Sequence, residues 1–166
     1  NTDIIGKKPY LDPKDLNGLK ARSQPTKIGG YLWTTFGANP NPLPVTEINS
    51  GFQTGLVDVG DGPITYYVFS GLGKIATHVT QTQHLDQAGT MMINKAVYDG
   101  LSAEHKKALA DMVAKSPAAL LRKEIREFEG KVRQKHTAEG GTITALTPEQ
   151  RAKALQVNQA LHKLDD

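Results

Sequence analysis

The 166-residue chain has no cysteine, which excludes disulfides and thiolate metal sites. It has no run of eighteen or more apolar residues, so no segment is long and apolar enough to cross a membrane as a helix. It has no strong excess of one charge. Twenty Lys and Arg stand against seventeen Asp and Glu, and the basic residues Lys123, Arg126, Lys131, Arg133 and Lys135 are interleaved with Glu124, Glu127 and Glu129. That mixture is a solvated helix face rather than a phosphate-tracking stripe, and no nucleic-acid partner is expected. The five histidines show neither an HExxH nor any other paired metal spacing, so no metal is expected. No serine sits in a nucleophile elbow, Gly29-Gly30 and Gly71-Leu72-Gly73 do not form a phosphate cradle, and no cofactor is expected. The first residues, Asn1-Thr2-Asp3, are not a basic-then-apolar export signal, which reads as a cytosolic or a processed chain.

What is present has two textures. Residues 1–94 alternate short apolar runs with Gly, Pro and Asn, whereas 101–138 are charged and helical. The expected division is a connector over 1–17, an α/β ligand-binding domain over 18–100, and a long helix with a C-terminal strand and helix over 101–166. In the connector, Asp12 before Pro13 suits a helix cap, and Gly18 stops the single turn that follows. Leu19–Arg22 reads as a strand and Pro25–Phe36 as a helix, with Ile28, Tyr31, Leu32 and Phe36 at helical spacing and Gly37 past its end. The proline-rich Asn39–Val45 reads as an edge strand. Thr46 caps a short helix ended by Gly55, and Leu56–Val59, His78–Gln83 and Thr90–Asn94 read as further strands. This order predicts an open, mostly parallel sheet flanked by helices. Ser102 caps the long helix, which Pro117 must kink or break. Gly140-Gly141 leads into a strand at Thr142–Ala145. Thr147-Pro148-Glu149-Gln150 is a capping box opening a last helix with Ala154, Val157, Leu161 and Leu164 inward.

Ligands of open parallel sheets bind outside the carboxyl ends of the strands. Arg22 ends one strand and Asp61 follows another. A guanidinium fork beside a helix start suits a carboxylate. By spacing alone, a structural ion pair of Arg22 with a nearby Asp or Glu is favoured over ligand binding. Asp58 and Asp61 are two carboxylates near one strand end without an evident acid–base partner. Trp33, Tyr66 and Tyr67 fit either a cleft or a core. His84 reads as a loop anchor, and His105 and His162 as partly packed helix residues.

The segment Asp15-Leu16-Asn17-Gly18-Leu19-Lys20-Ala21-Arg22 resembles the DLKGLKxR stretch of the TRAP transporter solute-binding proteins of the C4-dicarboxylate-binding type. In order, Gly37–Pro44 with Glu47, Phe52-Gln53-Thr54-Gly55-Leu56-Val57-Asp58, His84 after Thr80–Gln83, and Leu101-Ser102 resemble further segments of that family. The resemblance runs from about Pro9 to Gln150. It implies one half of a two-domain clam-shell in the periplasm that captures a small organic carboxylate, closes on it and delivers it to membrane permease subunits. It assigns carboxylate binding to Arg22, with Gln24, Asp61 and Thr90 as the other expected ligand contacts. Two positions depart: Gly62 stands where the family has Asn before proline, and Val45 where an aromatic residue is frequent. The resemblance also implies a further N-terminal portion supplying the opposite wall, or a second copy in its place. The alternative reading is an extracytoplasmic enzyme or sensor domain on the same fold.

Overall fold

The structure, a computed structural model, describes residues 1–116 and 118–159. Six strands, β1 (Thr2–Gly6), β2 (Lys20–Ser23), β3 (Asn39–Pro42), β4 (Val59–Gly62), β5 (His78–Leu85) and β6 (Thr142–Ala145), form one sheet in the order β3-β2-β4-β1-β5-β6. The pairs β2–β3, β2–β4 and β5–β6 are parallel, and β1 alone runs against its neighbours β4 and β5. The mostly parallel sheet is therefore present, with one reversed strand at its middle.

Period-two alternation divides the core. On one face Ile5 packs with Leu43, Ile48, Phe52, Ile64, Tyr67, Leu72, Val79 and Val132. On the other Ile4 packs with Tyr10, Leu16, Ala21, Leu32, Trp33, Phe36 and Val59. The first face is covered by α2 (Ile48–Thr54) and α3 (Ile64–Phe69), the second by α1 (Lys27–Thr35) and the turn at Pro13–Leu16. Trp33 and Leu32 set the buried side of α1, so Ile28 and Tyr31, expected on that side, are exposed.

Two compact units follow from the packing: residues 1–87 with 132–166, and residues 88–131. The first holds the whole sheet, including β6. The second holds α4 (Lys95–Gly100), α5 (Ala103–Lys115) and most of α6 (Ala118–Ala138), whose last turns from Val132 belong to the first unit. The last helix, α7 (Pro148–Gln159), lies with the first unit.

Several expectations are corrected. The opening residues are not only a connector, because Thr2–Gly6 is buried and paired on both sides. The strand expected at Leu56–Val59 begins at Val59 and runs through two glycines to Gly62. The strand expected at Thr90–Asn94 is absent: residues 86–94 have no regular secondary structure, and Met91 and Met92 are exposed. Asn94 instead caps α4, its Oδ1 accepting from Ala96 N at 2.9 Å. A turn at Val45–Glu47 precedes α2, so Thr46 is not its cap. The long helix divides into α5, capped by Ser102, and α6; Pro117 lies outside the described residues. His105 is exposed, and His162, Leu161 and Leu164 lie outside the described residues.

Candidate ligand-binding cleft

β2 and β4 lie side by side and parallel, with Ala21 opposite Val59. Arg22, one residue past Ala21, and Asp61, two past Val59, reach the same end of the sheet. There a cleft of about 580 Å³ opens between the loops after β2, β3 and β4. The loop after β2 contributes Gln24, Pro25 and Thr26 with Arg22. The loop after β3 contributes Pro44, Val45 and Ile48, and β4 with α3 contributes Asp61, Gly62, Pro63 and Tyr66. Gln87 completes the lining.

Arg22 is 5% exposed. Its Nε and Nη2 both donate to the Leu43 carbonyl, at 3.2 and 3.0 Å. Among the described residues no acceptor is placed on Nη1, which leaves that edge of the fork for another partner. Burial pulls the Arg22 pKa below its ordinary value, while Asp61 and Tyr66 pull it back up. The guanidinium therefore remains the cation of the cleft. A methyl group at Gly60 would lie 3.4 Å from Arg22 Cβ and from the Phe52 ring, so the arginine stem packs directly over this strand.

Asp61 lies against His84. His84 Nε2 lies 3.4 Å from Asp61 Oδ2, with side chains 4% and 8% exposed. His84 Nδ1 lies 2.7 Å from Thr82 Oγ1. Tyr66 donates its hydroxyl to the Val45 carbonyl at 3.1 Å, which ties the loop after β3 to α3. Thr26 caps α1 by accepting from Gly29 N at 3.1 Å. Gly62 leaves room, since a methyl group there would meet Tyr66 Cδ1 only at 4.0 Å.

Of the expected contacts, Arg22, Gln24 and Asp61 meet in this cleft. Thr90 does not line it; it is exposed in the second unit. Asp58 lies at the other end of the strands, where its Oδ2 accepts from Lys20 N at 3.0 Å. Trp33 and Tyr67 are core residues, and Tyr66 is the cleft aromatic. The sequence reading missed Gln87 and the His84–Asp61 pair. A bulge in β5 brings that pair together, and no local pattern announces it. Among the described residues no group of three or more His, Asp or Glu could hold a metal ion.

The family described as bacterial extracellular solute-binding protein, family 7, matches residues 2–164. The ectoine-binding periplasmic protein TeaA of Halomonas elongata is 32% identical over 108 residues, 65% of this chain and 32% of that protein. The 2,3-diketo-L-gulonate-binding periplasmic protein YiaO of Escherichia coli is 32% identical over 124 residues, 75% of this chain and 38% of that protein. The solved structure of the periplasmic ectoine-binding protein from the TeaABC TRAP transporter of Halomonas elongata superposes with a TM-score of 0.84 at 25% identity. That match covers 98% of this chain and 53% of the other. The chain thus spans about a third of these curated relatives and about half of the solved one.

Proposed function

Because the chain belongs to family 7 of the bacterial extracellular solute-binding proteins, we propose that it forms the carboxylate-capturing wall of a periplasmic solute-binding protein that serves a TRAP transporter. The observation that carries this reading is Arg22, buried at the carboxyl end of β2 with one edge of its fork unoccupied by any described residue. A guanidinium held by a backbone carbonyl is preorganised, so little side-chain entropy is lost when a carboxylate arrives. The polar groups of Gln24 and Asp61 around it orient the rest of a small organic acid. Both relatives named above bind compounds that carry a carboxylate. Delivery to membrane permease subunits follows closure of an opposite wall on the ligand.

A thermal-shift titration tests this. L-malate, D-galacturonate, 2,3-diketo-L-gulonate and ectoine are added to this chain, to its Arg22→Ala and Arg22→Lys variants, and to the longest chain its source encodes. A ligand at a hundred times its Kd stabilises by about 2.7 kcal/mol, a rise of about 5–10 °C for a chain this size. We expect one of these acids to stabilise the longest chain measurably, by a smaller rise in proportion to its greater length, and both variants to lose it, since lysine keeps the charge without the fork. A shift that survives in folded Arg22→Ala would remove Arg22 from the site.

A further inference from the structure

β5 is not a plain strand. Between the pairs Ile4↔Thr80 and Thr2↔Leu85, one residue of β1, Asp3, faces four of β5, Gln81 to His84. Paired residues share a face of the sheet, so Thr80 and Leu85 share one, although five residues apart in a plain strand they would point oppositely. The intervening chain passes through Gln83 at φ +48°, a left-handed conformation that costs a residue with a side chain about 1–2 kcal/mol. A bulge like this holds only when the backbone groups it withdraws from the ladder find partners. Asp3 Oδ1 accepts from Gln83 N at 3.1 Å. From α7, Arg151 Nη1 donates to the Thr82 carbonyl at 3.0 Å and Nη2 to the Gln81 carbonyl at 3.2 Å. The planar fork spans two consecutive carbonyls, which a point-like ammonium cannot match. The bulge delivers His84, which it places between Thr82 Oγ1 and the Asp61 carboxylate.

We propose that Arg151 is a positioning residue for the cleft: by holding the Gln81 and Thr82 carbonyls it fixes the bulge that sets His84 against Asp61. The importance of this rests on the reading of the cleft as a ligand site, but the geometry is testable without ligand. A second tether of α7 provides the control. Lys153 Nζ donates to Asp12 Oδ2 at 2.8 Å, two residues along the helix and away from the bulge.

The readout is the His84 ring in long-range ¹H–¹⁵N spectra of the whole chain at pH 7.5. With Nε2 facing a carboxylate and Nδ1 a hydroxyl, the wild-type spectrum is expected to show the Nε2–H tautomer. In Arg151→Met, which keeps the apolar stem and a good helix former, His84 is expected to lose that bias and average toward the pattern of the exposed His105. Lys153→Ala is expected to keep the wild-type pattern, and Arg151→Lys to fall between. A wild-type His84 pattern in folded Arg151→Met, or the same change in Lys153→Ala, overturns the proposal. If Arg151→Met does not fold, Arg151→Lys decides, and an unaltered pattern there overturns it. Failure of every acid in the titration above, with the His84 change intact, would instead remove the carboxylate reading and leave this one standing.

Discussion

Two adjacent glycines of α1 differ in what a methyl group would meet. At Gly29 it would lie 2.8 Å from the Gln24 carbonyl oxygen and 3.1 Å from Gln24 N, backbone that leads into the cleft. At Gly30 it would meet nothing within 4 Å. Replacing glycine by alanine inside a helix gains about 0.5–1 kcal/mol from backbone entropy. A clash with fixed backbone costs about 1–3 kcal/mol. Urea unfolding should therefore show Gly30→Ala more stable than the parent by about 0.5–1 kcal/mol and Gly29→Ala less stable by about 1–2 kcal/mol. Such contacts were not legible in the sequence, where the Gly29-Gly30 pair stood out only as not forming a phosphate cradle. Arg22 was legible as a candidate because its role needs only a strand end followed by a turn. His84 was not placed on Asp61, because its position depends on a bulge pinned from α7, far away in the chain.

At the scale of elements, caps were readable because they are local. Asp12 before Pro13, Ser102, and the reciprocal bonds of Thr147 with Gln150 at 2.9 and 3.3 Å all stand as their spacing implies. Strands were read less well. β4 is half glycine and β1 is buried on both faces, so neither shows the alternation that marks a half-exposed strand. The β5–β6 pair carries a titration. His78 Nδ1 and Nε2 lie 3.1 and 3.0 Å from the Thr142 and Thr144 hydroxyls across the ladder. His136, 3% exposed, stacks edge-on against Tyr67 at 5.1 Å. Burial lowers the pKa of both; for His78 the neighbouring His136 lowers it further, while for His136 the backbone at Thr77 and Thr142 and the Glu139 carboxylate oppose the shift. Below the unfolded value of about 6.5 the unfolded chain takes up these protons and the folded one resists them. Stability is therefore complete above that pH and falls as pH drops below it. Asp3, raised by burial, takes up its proton more readily folded than unfolded and so works in the opposite sense, while Asp12, lowered by Lys153, loses its contribution only below its ordinary value of 3.8. Denaturant midpoints between pH 7.5 and 5 should fall for the parent and flatten in His78→Asn with His136→Gln; an unchanged slope in the double variant would assign the loss elsewhere.

Considered whole, the first unit is built from two separated stretches, 1–87 and 132–166, with residues 88–131 inserted between them. The passage at 86–94 is exposed and without regular structure, and carries Met91, Met92 and Ile93. Such segments are preferred sites of proteolytic nicking. Brief thermolysin treatment should cut there first, as mass spectrometry of the fragments will show. The two pieces should still co-elute, because β6 pairs with β5, Arg151 binds the Gln81 and Thr82 carbonyls, and Val132 enters the core. Separation of the pieces without denaturant would contradict that account. The reversed strand at the middle of the sheet has a consequence for how the chain reaches this state. β1 is made of residues 2–6, yet its partners are residues 59–62 and 78–85. The sheet's centre therefore has a high contact order: its earliest residues close loops of tens of residues before any ladder rewards them. Refolding belongs in the millisecond-to-second range of non-local sheets, and the gap between β4 and β5 stays open to another strand until β1 arrives.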